Sequence, residues 1–193
     1  MTKPQSLFKS GRISCLPIRN RVVMPPLGMA LDSAYGEITD YHIAYYEVRA
    51  RGGVGPIVME ACLVEPTFGK SDFANSRIDD NRFIPIMHRL ANAIHKHDTR
   101  IFVQMHHAGR QSNSALTGAV QIVAPSPVSS PVIGETLCAL SLEEIADLED
   151  RFVQGALRCK MAGMDGVKRF NHRPCEQQFR NCPIEDQHCC LSS

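Results

Sequence analysis

The chain has 193 residues, 44% of them hydrophobic and 21% charged, which is enough apolar material for a buried core and ordinary for a globular protein. A formal net charge of +1 offers no electrostatic attraction for nucleic acid or an anionic membrane. No apolar run reaches the ~18 residues of a helical membrane span, and the polar start Met-Thr-Lys-Pro-Gln-Ser is unlike a secretory signal, so a soluble, cytoplasmic protein is expected.

Arg21-Val-Val-Met24 is a short apolar run that stops at Pro25-Pro26, because consecutive prolines cannot continue a ladder. Thr39 is placed to cap a helix reaching about Arg51, with Gly52-Gly53 as a left-handed stop. Ile57 to Val64 is mostly apolar without clean alternation, as expected of a strand buried on both faces. Asp79 or Asp80 then caps a helix whose Phe83, Met87, Leu90 and Ile94 form one apolar stripe. Ile101 to Met105 is a third strand. A Ser-, Pro- and Gly-rich loop is expected from about His107 to Leu140; loops of that length are usually functional or disordered. Ser141 and Glu144 fit a capping box for a helix with Ile145, Leu148, Phe152 and Ala156 on one face. Met164-Asp-Gly-Val167 begins a fourth strand.

Strands alternating with helices indicate parallel β-α-β units, in a doubly wound sheet or a β/α barrel. The absence of a G-x-G-x-x-G fingerprint or a P-loop between strand and helix weakens the first. A barrel needs eight strands and roughly 250 residues, of which three to four units are present. The pattern stops at Val167, so the chain divides into a folded part, 1–167, and an irregular tail, 168–193, expected to be disordered. A frameshift, a retained intron or a mis-joined exon would produce such a tail. Its Cys175, Cys182, Cys189 and Cys190, with His172 and His188, lack the paired Cys-x2-Cys spacing of a zinc site, so no metal is expected.

Three ordered segments carry a resemblance. Ile18-Arg-Asn-Arg-Val-Val-Met-Pro-Pro-Leu-Gly28, Val58-Met-Glu-Ala-Cys62 and Gln104-Met-His-His-Ala-Gly-Arg110 resemble the N-terminal half of the old yellow enzyme family, the NADH:flavin oxidoreductases. Asp165-Gly166-Val167 is similar to the approach to that family's fourth strand, so the resemblance covers about residues 6 to 167. It implies the first three to four units of a (β/α)8 TIM barrel. It also implies an FMN cofactor reduced by NAD(P)H and a small-molecule acceptor such as an enone or enoate.

By the resemblance, Pro25, Pro26, Leu27 and Gly28 run past the flavin N5 and O4, Ala61 offers backbone at the ring, and Gln104 bonds its pyrimidine edge. Gly28, where many relatives carry Thr or Cys, leans the chain toward the enoate-reductase-like branch. After Val167 the family continues with Glu-Ile-His and a partner His or Asn that bind the substrate oxygen; here Lys168-Arg169-Phe170 follow. No catalytic residue is therefore assigned, and little turnover is expected of the chain as given. The alternative is a non-catalytic, truncated product that self-associates through an unclosed barrel. Gln104 alone could simply satisfy a neighbouring backbone group. Adjacent His106 and His107 point to opposite faces of a strand and are expected to be structural.

Overall fold

The computed structural model describes residues 6–118 and 121–170; the tail's cysteines and histidines lie outside them. The chain opens with an antiparallel hairpin of β1 (Gly11–Ile13) and β2 (Leu16–Ile18). The Arg19 guanidinium then donates to the carbonyls of Ala50, Val54 and His97, satisfying groups left open at helix ends. The strand expected over residues 21–24 contributes a single bridging residue, Met24, paired with Ile57. Pro25 and Pro26 have no amide to extend that ladder.

Helix α1 (Asp40–Arg51) is capped by Thr39, whose side chain accepts from His42 N, and stops at Gly52 and Gly53, the latter at φ +99°. Strand β3 (Pro56–Leu63) follows, then the two-residue β4 (Ser76–Arg77). Asp80 caps one 3-10 turn that leads into α2 (Ile84–His95). After β5 (Arg100–His106), the expected long loop proves to hold short ordered elements: α3 (Ser114–Thr117), and β6 (Ile122–Ala124) paired in parallel with β7 (Leu137–Ala139). Three-residue strands carry too little pattern to stand out in a polar segment. Helix α4 (Leu142–Met161) starts at the expected capping box, with both Ser141 and Glu144 bonds formed. Strand β8 (Gly166–Arg169) closes the described chain and continues through Lys168 and Arg169.

The main sheet runs β4-β3-β5-β8, parallel throughout. Ile57, Met59, Ile101, Val103 and Met105 point to one side, where they form a single core with Ile43 and Tyr46 of α1, Met87, Leu90 and Ile94 of α2, and Leu148 and Cys159 of α4. All three long helices thus cover the same face. A doubly wound sheet would carry helices on both, so the architecture is an open arc of a β/α barrel. Asp165 ties the bottom of that arc, where its carboxylate accepts from Ile101 N at 2.8 Å and pairs with His95 at 2.7 Å and Arg100 at 3.2 Å.

Candidate functional site

In a parallel sheet, residues paired in register point to the same face. Alternation along β5 puts Phe102, Gln104 and His106 opposite the helices, toward the barrel interior. The register pairs Ala61 with Gln104 and Gln104 with Lys168, so these three form one row across β3, β5 and β8. A register shift between Met59 and Ala61 makes Glu60 an extra residue in β3, and that bulge aims Ala61 inward.

Gln104 is 5% exposed, and its Nε2 has no hydrogen-bond partner among the described residues. Leaving a buried amide donor unmet costs about 1–3 kcal/mol, so a side chain that merely satisfied the neighbouring backbone would not stand this way. The other expected residues lie alongside. Met24 N donates to Pro56 O, and Val58 N to Met24 O, which lays residues 25–29 beside the upper half of β3. Pro26 is half-buried, whereas Pro25, Leu27 and Gly28 are exposed, Leu27 at 58%. The Met29 amide donates to Glu60 Oε2 at 2.8 Å and so anchors the segment to the bulge. Small Ala61, the backbone of 25–28 and an amide awaiting an acceptor match the shape and polarity of a flat ring with one polar edge.

His106 lies in β5 on the inner face, its ring 5.4 Å from that of Phe170. His107 lies just past the strand, where its Nδ1 accepts from Gly109 N at 3.1 Å. Burial pushes its pKa down to about 4, so the ring is neutral near pH 7. The two histidines share no ligand geometry.

Sequence reasoning missed the polar cluster behind this wall. His42 Nδ1 lies 3.0 Å from Asp32 Oδ1, and its Nε2 lies 2.6 Å from Glu60 Oε1. All three side chains are almost fully buried. Burial opposes protonation of His42, but the two carboxylates outweigh it and raise its pKa to about 9. The available signal was a glutamate inside an otherwise apolar strand, in a motif already singled out, with a histidine in the first turn of the preceding helix. Each ring nitrogen faces a different carboxylate, as suits an imidazolium; one metal ion could take only one ring edge.

Over residues 6–171 the chain matches a family model described as the NADH:flavin oxidoreductase / NADH oxidase family. It is 41% identical over 168 residues to an NADH oxidase of Thermoanaerobacter brockii, covering 87% of this chain and 26% of that protein. A metal reductase of Desulforamulus reducens is 42% identical over 162 residues, covering 84% and 24%. The fold is similar to that of an old yellow enzyme homologue from Zymomonas mobilis, with TM-score 0.74, 28% identity and coverage of 85% of this chain and 48% of that one. The chain therefore spans about a quarter of the length of these two curated relatives.

Proposed function

Because this chain belongs to the NADH:flavin oxidoreductase / NADH oxidase family, we propose that residues 1–167 are the N-terminal part of an FMN-binding TIM barrel of an NAD(P)H-dependent oxidoreductase. The observation that carries this reading is the buried Gln104 amide, without an acceptor among the described residues, in the same row as Ala61 on the barrel's inner face. Gln104 would hold the pyrimidine edge of the flavin, Ala61 would allow close approach, and the backbone of Pro25, Pro26, Leu27 and Gly28 would flank the ring. Bound FMN supplies two-electron transfer from NAD(P)H to an activated alkene or similar acceptor. Gly28 presents no side chain to the ring, which leans the chain toward the enoate-reductase-like branch.

By the family resemblance, Lys168, Arg169 and Phe170 take the place of a substrate-binding His motif, so we assign these 193 residues flavin contact but little turnover. The test is an FMN titration followed by flavin fluorescence, with wild type and Gln104→Leu compared, beside an assay of NADH consumption with an enone. Quenching by wild type, about tenfold weaker affinity in Gln104→Leu and an equal or higher melting temperature of the flavin-free variant are expected. A purely structural Gln104 would instead lower the melting temperature and leave affinity unchanged. Rapid enone-dependent NADH oxidation would overturn the low-turnover assignment.

A further inference from the structure

Three buried titratable side chains lie directly behind the proposed flavin wall, and the chemistry assigned above uses none of them. Asp32 comes from the loop before α1, His42 from the first turn of α1, and Glu60 from the bulge of β3. Taking such groups out of water is costly, and apolar side chains would fill the same volume at lower cost. Their bonds show a task beyond filling space.

Ser76 Oγ, on β4, donates to Asp32 Oδ1 at 2.7 Å; Asp32 holds one edge of His42, and His42 holds Glu60 Oε1. His42 Nε2 and Glu60 Oε1 meet as an ion pair by distance, and neither has a hydrogen-bond partner among the described residues. The remaining Glu60 oxygen receives the Met29 amide, one residue beyond Gly28, and Glu60 N donates to the buried Tyr46 hydroxyl at 3.0 Å. Glu60 therefore ties its own strand, with Ala61 next to it in the chain, to the Gly28–Met29 backbone.

We propose that Asp32, His42 and Glu60 form a buried positioning relay: Glu60 indexes the Gly28–Met29 backbone and Ala61 to each other at the flavin face, and His42, bridged to Asp32, holds the Glu60 carboxylate in place. The relay rests on the flavin reading for what it positions. Asp32, Glu60 and Tyr46 face His42, with Cys62 close to the carboxylates; burial pushes the Tyr46 phenol and the Cys62 thiol up, so both stay neutral through the working range. An alkaline loss of the relay would therefore report on His42.

The test uses the full chain with Glu60→Gln, Glu60→Ala and His42→Gln, reading Met29 amide hydrogen exchange without ligand and FMN affinity across pH. Glu60→Gln keeps an acceptor for Met29 N and should retain its protection. Glu60→Ala should lose that protection and about tenfold in affinity. His42→Gln does not touch Met29, yet should speed its exchange and abolish the alkaline fall in FMN affinity expected of wild type as the imidazolium titrates. Wild-type Met29 exchange in either Glu60→Ala or His42→Gln overturns the relay. Should Glu60→Ala fail to fold, unchanged Met29 exchange in His42→Gln overturns it alone. A wild type that binds no FMN sinks the flavin reading, and the relay is then decided on Met29 exchange.

Discussion

At Gln104 the inner face of β5 leaves an amide nitrogen without an acceptor among the described residues, whereas at His42 both ring nitrogens face carboxylates. The second arrangement has a consequence for stability. His42 titrates near 9 when folded and near 6.5 when unfolded, so its contribution is complete below about pH 6.5 and is lost as pH rises through 9. His107 works in the other direction. Its folded pKa of about 4 means stability is present above pH 6.5 and lost as pH falls toward 4. Melting temperature should peak near pH 6.5 to 7; His42→Gln should flatten the alkaline arm and His107→Gln should shrink the acid arm. Melts from pH 4.5 to 9.5 check this, and an alkaline arm unchanged in His42→Gln would refute it. Gln104 could be singled out from its motif, Gln104 to Arg110, before its burial was known. The task of Glu60 could not, since it depends on Met29 and His42, 31 and 18 positions away in the chain.

Elements with local signals were the most legible. The Thr39 cap, the capping box at Ser141 and the stripe Phe83, Met87, Leu90, Ile94 all appear where the sequence puts them, because caps and periodicity act within one or two turns. The face of α4 was only partly legible. Leu148 is buried, but Ile145, Phe152 and Ala156 are half-buried, and Gly155 and Cys159 are buried in their stead. A Cβ at Gly155 would sit 3.1 Å from Val64 Cγ1 and 3.4 Å from both Ile78 Cγ2 and Met105 Sδ. Gly155 lets α4 lie against the sheet. Gly155→Ala should be nearly neutral, since a helix-propensity gain of about 1 kcal/mol opposes the tight contact. Gly155→Leu should lose about 3 kcal/mol by overpacking. Urea unfolding of both variants checks this, and equal midpoints would show that α4 does not pack as described.

For the whole molecule, the strand order begins at β4 and ends at β8, and no closing strand appears among the described residues. A parallel edge of this kind is a template for another chain, so the polypeptide is expected to self-associate as concentration rises. Sedimentation velocity across a hundredfold concentration range tests it; a constant monomeric coefficient would refute it. Local rules written into the chain were sufficient for the alternation of strands and helices and for their caps. They left open whether the helices cover one face of the sheet or two, since either arrangement satisfies the same periodicity. They also hid the bulge at Glu60 and the His42 bridge. Those features arise from register and burial between segments distant in sequence, where the placement of one carboxylate depends on three elements meeting, and no local pattern records such a meeting.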